Sequence, residues 1–238
     1  MMKLLAAFLF LPLFPFSMVF NGLLSKLGNP TARFMLLLAW PQFGVFFLHA
    51  QPVPEFFIAW PLLSSGFYAL RLLTVRDLGL WAGFLACSAL SLIWIANPSD
   101  MPMVALWFSI PPALLFLLSG ALERRFGAAY SGLYGGLAGS APKLSGMLVM
   151  TLLAAIATPP FPGFFAMLGL LHRTGIAPAV LFIWLLWGWA AIRLMQGFLS
   201  GSKEPTPVND VGRSGALLFA CLLGVIVFAS LYLKGGAP

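Results

Sequence analysis

A lysine and an arginine interrupt the apolar N-terminal part of this chain, and their chemistry needs an explanation. Lys26 directly follows the apolar stretch at residues 4–25, and Arg33 lies near the start of the next one, residues 30–50. Placing a lysine near the middle of a bilayer costs on the order of 3 kcal/mol. Such a lysine is poised to exchange a proton with water or with a partner. Lys26 is therefore the candidate for proton transfer.

The placement of Lys26 depends on how the chain folds around it. The pair Asn29-Pro30 follows and favours a local break, which would put Lys26 and Arg33 in a short loop between two helices. The alternative is one helix from about Ser17 to Leu38 that carries both charges inside the membrane. Because arginine keeps its proton, Arg33 is interpreted as a structural partner or a topology anchor.

A second unusual feature is a break inside the apolar run at residues 145–171. The segment Thr158–Met167 contains Pro159, Pro160 and Gly163. Proline removes a backbone donor and clashes with the preceding turn, and in hydrocarbon the freed carbonyls need partners in protein or water. Ion-translocating proteins use broken helices to place irregular backbone near the midplane. Here, however, no ionisable side chain follows the break closely.

Three further charged residues are candidate structural or charge partners. Arg193 lies inside an apolar stretch, where it either snorkels to the membrane surface or faces a carboxylate of a partner. Asp77 follows Arg76 in a short charged cluster that we expect at the interface. Glu123 begins the charged end of another apolar stretch and is expected to lie at a helix terminus.

The chain has no recognisable pattern for a catalytic, metal or cofactor site. His49 and His172 stand near segment ends, without a second histidine or a carboxylate at metal-ligand spacing. The sequence also has no arrangement typical of a hydrolytic triad and no P-loop lysine. Its cysteines do not have the spacing of haem or iron–sulfur ligands. We therefore expect no catalytic residue, no metal and no cofactor.

Membrane helices must position these residues. The chain of 238 residues is 61% hydrophobic and only 8% charged, with a mean hydropathy of +0.99, which excludes a water-soluble globule. We predict an all-α integral membrane fold of seven or eight transmembrane helices, one of them broken near Pro159–Gly163. Residues 1–238 would form a single transmembrane domain with no soluble domain. The apolar stretches lie at 4–25, 30–50, 56–74, 78–96, 101–122, 145–171, 177–199 and 214–233.

Basic residues concentrate in alternate connections between these stretches. The connections after the third, fifth and seventh stretches hold Arg71 and Arg76; Arg124, Arg125 and Lys143; and Lys203 and Arg213. Such connections face the cytoplasm, so the net charge of +7 indicates topology and not nucleic-acid binding. We expect a multi-pass protein of the bacterial inner (cytoplasmic) membrane, in contact with the lipid bilayer.

Five blocks occur in a characteristic order. They are Ser17-x4-Gly22-x3-Lys26-x6-Arg33; Phe67-Tyr68 followed by Asp77; Leu115–Arg124; Gly135-Gly136-Leu137-Ala138-x3-Pro142; and Pro159–Phe165. Together they resemble the second half of the antiporter-like membrane subunits. This family occurs in proton-pumping NADH:quinone oxidoreductase (complex I), Mrp-type cation/proton antiporters, membrane hydrogenases and bicarbonate-uptake complexes. The last two blocks, in this order and spacing, are the specific part.

The resemblance covers about residues 17 to 233 and implies the eighth to fourteenth helices of a fourteen-helix subunit. It implies partners as well: other membrane subunits of a larger complex, and a hydrophilic module. By motif, Lys26 matches the family's central lysine. Where the family has a lysine or glutamate after the broken helix, this chain has Met167. Where the family has histidines on two earlier helices, this chain has Ala89 and Phe108. The resemblance therefore implies a partly degenerate proton relay.

Three functions remain open. In the first, the chain is a membrane subunit of an ion-translocating complex, acting as a scaffold and contributing to proton transfer. In the second, it is a non-transporting structural or docking paralogue in such a complex, because apolar residues fill the relay positions. The third is a stand-alone membrane carrier or enzyme, for which the sequence offers no catalytic chemistry.

Overall fold

The computed structural model describes residues 2–48, 54–133, 136–172, 175–201 and 209–235, and helices dominate this part of the chain. Two short 3₁₀ turns, Glu55–Ile58 and Leu92–Ile95, join the α-helices. The α-helices are α1 (Met2–Phe10), α2 (Ser17–Lys26), α3 (Pro30–Leu48), α4 (Ala59–Leu72), α5 (Leu78–Ser91), α6 (Met101–Phe126), α7 (Leu137–Ser140), α8 (Pro142–Ala155), α9 (Pro162–Leu171), α10 (Ala177–Leu199) and α11 (Arg213–Gly235).

Five of these elements are long and apolar enough to cross a membrane: α3, α5 with its following 3₁₀ turn, α6, α10 and α11. The shorter apolar helices include α8 and α9, which share the predicted broken stretch. The prediction of an all-α integral membrane protein is confirmed.

The span built on α5 is the centre of the molecule. In the span Leu78–Ile95, 94% of the residues are buried inside the protein. In the span Arg213–Tyr232 of α11, only 17% are buried. Helices α4 and α6 pack on α5, and α3 lies along α6. An apolar core surrounds α5, whereas α11 lies at the periphery.

Helices α2 and α3 are separate elements joined by residues 27–29. Pro30 is the first residue of α3, and the Asn29 side-chain oxygen accepts the N–H of Thr31 at 2.9 Å. Asparagine at this position satisfies a free donor of the first turn, and proline fits there because it has no N–H to lose. The alternative of one helix from Ser17 to Leu38 is therefore wrong, and the break at Asn29-Pro30 is confirmed.

The break between α8 and α9 satisfies its carbonyls with protein donors. The Thr158 hydroxyl donates to the carbonyl of Leu153 at 3.0 Å, and the Trp184 indole N–H donates to the carbonyl of Ile156 at 2.9 Å. At Gly163, a Cβ would lie 3.1 Å from the Cβ of Ala157, so the absence of a side chain lets the start of α9 approach the end of α8. Pro159 and Pro160 lie between the two helices, where neither has to fit a helix interior.

We expect Trp184→Phe to destabilise the chain by loosening this break. The variant leaves the Ile156 carbonyl without its indole donor, and an unsatisfied buried polar group costs about 1–3 kcal/mol. Thermal unfolding in detergent micelles measures the loss. Trp189→Phe is the matched control, because Trp189 is 67% exposed on the same helix. Equal melting temperatures for the two variants would contradict the assignment.

The apolar stretch at residues 4–25 contains a second break that the sequence analysis did not predict. Residues 11–16 separate α1 from α2. Their carbonyls are again held by side chains: the Trp94 indole donates to Leu11 at 3.2 Å, the Ser91 hydroxyl to Pro12 at 3.1 Å and the Trp60 indole to Phe14 at 2.7 Å. The expectation of one continuous apolar segment is wrong here, because two prolines interrupt it and neighbouring helices supply the donors.

The three basic connections meet at one end of the molecule. The N–H of Ser131 donates to the carbonyl of Arg76, and the N–H of Gly132 to that of Gly197. The Arg125 guanidinium donates to the carbonyl of Asn209 at 3.1 Å. These hydrogen bonds join the connections that follow α4, α6 and α10. The three basic connections therefore lie on the same side of the membrane, as the alternation of basic residues in the sequence predicts.

Asp210 fixes the end of the last connection to the first turn of α8. Its carboxylate accepts the backbone N–H groups of Lys143 at 2.9 Å and Leu144 at 3.1 Å, and that of Val211 at 2.7 Å. Burial alone would raise the pKa of this carboxyl, but these donors and the Lys143 ammonium outweigh burial and hold the pKa below its ordinary value. A carboxylate with a lowered pKa contributes stability that is lost only as the pH falls through that pKa, so the anchor persists at neutral pH.

Candidate functional site

Three of the predicted charged residues, Arg33, Asp77 and Glu123, line one cavity of about 240 Å³. It opens at the end of the molecule that carries the basic connections, between α2, α3, α5 and α6. The remaining described lining residues are Asn21, Leu24, Ser25, Gly79, Leu80, Gly83 and Phe116. The structure therefore brings residues from three of the five sequence blocks to one polar opening.

Arg33 is fixed by two contacts. Its Nε donates to the carbonyl of Leu27 at 2.6 Å, and its guanidinium carbon lies 5.9 Å from the centre of the Phe116 ring. The first contact ties the start of α3 to the residue that follows α2. The second is a cation–π interaction that holds the charge at the cavity wall.

The two carboxylates have structural hydrogen bonds of their own. Asp77 is the N-cap of α5 and accepts the N–H of Leu80 at 2.7 Å. Glu123, one turn from the end of α6, accepts the Ser119 hydroxyl at 2.9 Å. Each carboxylate keeps further acceptor capacity for water or a cation.

Gly79 lies where these polar groups converge. A Cβ at this position would be 3.3 Å from the Ser119 hydroxyl oxygen, 3.4 Å from Asp77 Oδ1 and 3.5 Å from Arg33 Nη1. Three helices therefore direct a hydroxyl, a carboxylate and a guanidinium at one point. A larger side chain at Gly79 would displace them.

A buried polar network continues from the cavity wall into the bundle. The amide oxygen of Asn21 accepts the Cys87 thiol at 3.5 Å, and Asn21 also lies within hydrogen-bonding reach of Tyr68. The Tyr68 and Ser17 hydroxyls are hydrogen-bonded to each other. These groups link α2, α4 and α5 through neutral side chains that can relay hydrogen bonds.

A second buried polar group links α4, α5 and α10. The Ser65 and Ser88 hydroxyls are 3.0 Å apart, and the Trp187 indole donates to Ser88 at 2.8 Å. The Phe108 ring packs edge-on against Trp187 with centroids 6.2 Å apart. The hydroxyls therefore face an aromatic wall.

The three positions at which the resemblance places charged or histidine side chains are packed in the apolar core. Met167 has no exposed surface, Ala89 is 2% exposed and Phe108 is 4% exposed. Side chains this deeply buried leave no room for water beside them. The apolar residues at these positions therefore fill the core instead of lining a hydrated space.

Lys26 and Arg193 are not among the described lining residues of this cavity. Lys26 is the last residue of α2 and its side chain is exposed, although the preceding residue, Ser25, is in the lining. Arg193 is exposed on α10 and lines two other cavities. Within the part of the chain that the structure describes, the two residues therefore do not complete a cluster with Arg33.

Sequence reasoning missed the neutral polar residues of the site. Asn21, Ser65 and Ser88 were not singled out, although each interrupts an apolar stretch. A polar side chain inside a membrane helix usually faces the bundle interior. That signal would have found them, because hydroxyl and amide groups need buried partners as charged groups do.

No family model matches the chain. An uncharacterized protein of Aquifex aeolicus (strain VF5) is 24% identical over 231 residues, covering 95% of this chain and 99% of that protein. A chain of respiratory complex I from Thermus thermophilus with bound NADH has a TM-score of 0.81 and 22% identity over 98% of this chain. A chain of the Mrp complex from Dietzia sp. DQ12-45-1b has a TM-score of 0.81 and 17% identity over 98% of this chain.

A chain of the membrane-bound sulfane sulfur reductase, an archaeal respiratory membrane complex, has a TM-score of 0.77 and 18% identity over 91% of this chain. The present chain spans about half the length of these three solved chains: 55%, 55% and 50%. At these identities the likeness establishes the fold, which is shared with chains of membrane-bound respiratory and Mrp complexes.

Proposed function

We propose that this chain is a membrane subunit of an ion-translocating complex of the complex I/antiporter type. The observation that carries the proposal is the fold: 98% of the chain superposes with a TM-score of 0.81 on a chain from each of two differently named complexes. The five sequence blocks resemble the same family independently. The partners would be other membrane subunits and a hydrophilic module, in a bacterial inner membrane.

We further propose that the chain corresponds to the second half of an antiporter-like subunit. It matches about half the length of the solved chains, and the order of the sequence blocks agrees with the later helices. A partner subunit would then supply the charges that this chain lacks at Ala89, Phe108 and Met167.

The cavity would contribute one part of an ion path. Arg33, Asp77 and Glu123 make its opening polar, and the Asn21, Cys87 and Tyr68 side chains extend hydrogen bonding inward. A proton wire needs ionisable groups or ordered waters in series across about 30 Å, and the packed Met167 and Phe108 do not provide them. This supports a partial path within a larger assembly over a complete autonomous wire.

Lys26 is proposed as the proton-exchanging group at the edge of this path. Its exposed side chain at the end of α2 is free to meet a partner subunit or water. We expect Lys26→Ala to reduce proton transport by the intact complex in proteoliposomes by roughly 100-fold, the lower range for a positioned proton-transfer group. Lys26→Arg should be equally inactive, because arginine keeps the charge but does not release the proton.

Two controls make this test specific. Arg124→Ala removes an exposed positive charge at the same end of the molecule, outside the described cavity lining, and should leave transport unchanged. Subunit composition must be compared in every variant. Full transport by Lys26→Ala in a correctly assembled complex would eliminate Lys26 from the path.

A non-transporting docking role is the second candidate, and the complete burial of Met167 favours it. In that case Lys26→Ala, Arg33→Gln and Asp77→Asn would each leave transport unchanged while the complex still needs the chain for assembly. Purification of the tagged chain in mild detergent tests both candidates together. Recovery of the chain alone, without other membrane subunits, would overturn both.

A further inference from the structure

Two adjoining cavities on α10 have no role in the proposed ion path. The first, of about 240 Å³, lies at the end with the basic connections and is lined by Arg76, Arg193, Ser131 and Gly132, among others. The second, of about 890 Å³, runs along α10 between Leu181 and Gln196. Arg193 lines both, so the basic recess and the long groove adjoin at this side chain.

Among the lining residues that the structure describes, the recess carries positive charge without a balancing carboxylate. Both guanidinium groups are on exposed residues, and none of the described lining residues of either cavity is an aspartate or glutamate. The neutral polar groups are already used by the fold, since the Ser131 hydroxyl donates to the carbonyl of Leu194 and the Gly132 N–H to that of Gly197. The two arginines therefore remain to bind an external anion, and guanidinium groups match the oxygens of a phosphate.

The groove is apolar and exposed on the outer face of α10. Leu185 and Trp189 are each 67% exposed. Between them lies Gly188, where a Cβ would meet nothing within 4 Å. The open space beside this glycine, with large apolar side chains on either side, fits a hydrocarbon chain.

We propose that the composite cavity binds an anionic phospholipid. The phosphate lies between Arg76 and Arg193, and an acyl chain follows the α10 groove past Gly188. Basic pockets between membrane helices on the cytoplasmic side bind anionic headgroups, and the sequence pattern places these connections on that side. The site explains why Arg193 stands inside an apolar stretch, and it does not depend on the proposed ion transport.

Binding of phosphatidylglycerol to the full-length chain in detergent, measured by native mass spectrometry, tests the proposal. Phosphatidylcholine with the same acyl chains is the comparison lipid, and we expect it to bind more weakly. Arg76→Gln and Arg193→Gln should each raise the dissociation constant for phosphatidylglycerol about fivefold, and the double variant roughly 25-fold. Arg124→Gln, which removes an exposed charge outside the described cavity linings, should have no effect.

Gly188→Leu tests the acyl-chain part of the site separately. A Cβ at this position meets nothing within 4 Å, and the leucine would occupy the groove and weaken phosphatidylglycerol binding. Gly146→Leu is the matched control, because Gly146 is also a helical glycine with open space around it but lies outside the described groove.

Inorganic phosphate separates a lipid site from a simple anion site. We expect it not to displace phosphatidylglycerol at millimolar concentration. Displacement by phosphate, with Gly188→Leu binding lipid as the wild type does, would show an anion site and overturn the proposal. Equal binding of the two lipids, or unchanged binding in the double arginine variant, would also overturn it.

Discussion

Gly120→Ala should lower the melting temperature of the detergent-solubilised chain by several degrees. A Cβ at this position would fall against Cγ of Pro30 and 2.8 Å from its Cβ. The proline ring is stiff and begins α3, so the contact can be relieved only by moving α3 away from α6. Overpacking of this kind costs about 1–3 kcal/mol, which corresponds to roughly 2–4 °C per kcal/mol for a chain of this size.

Gly146→Ala is the control for this prediction. Both glycines are in helices, and alanine has the higher helix propensity at either position. Gly146 has nothing within 4 Å of the new Cβ, so alanine there should leave the melting temperature unchanged or raise it slightly. If Gly120→Ala behaves in the same way, the close approach of α3 to α6 at Pro30 is incorrect.

Met167→Lys should destabilise the chain without opening a proton path. The methionine has no exposed surface, and a charged side chain in the middle of a membrane helix costs about 2.5–3.5 kcal/mol. The loss of apolar packing adds to that cost. Thermal unfolding and a pH-sensitive dye in proteoliposomes measure the two effects, and we expect a lower melting temperature with no leak of protons.

Met167→Leu keeps the apolar volume, and this change should cost less than about 1.5 kcal/mol. An unchanged melting temperature together with a new proton leak in Met167→Lys would contradict this prediction. Such a protein would show that the core beside α9 accepts water and that the relay needs only one residue to be restored. The partial-path proposal would then give way to a dormant complete path.

The long apolar runs, and the prolines and charged residues that end or break them, predicted most of the fold. The run 177–199 coincides with α10, and 101–122 lies within α6. The break near Pro159–Gly163 was predicted from proline chemistry, which is local. Pro12 and Pro15 mark the second break, but the donors that permit it, from Ser91 and Trp94, are distant in sequence.

The sequence predicted the charged residues of the candidate site but not that they lie together. Arg33, Asp77 and Glu123 attracted attention as charges in or beside apolar runs, but their meeting in one cavity depends on packing across Gly79. A sequence does not show which small residue lets three helices approach. Lys26 was selected by motif, and its exposed position follows from a helix that ends at Lys26 itself.

The two ends of the molecule differ in how much inserted sequence they can accept. Hydrogen bonds lock the connections at the basic end to one another, from Arg76 and Ser131 to Gly132 and Gly197. At the opposite end, residues 97–100 are exposed, and the described backbone hydrogen bonds there stay within the turn into α6. An epitope or a fluorescent label therefore belongs in this turn, where added residues meet solvent and leave the helix packing undisturbed.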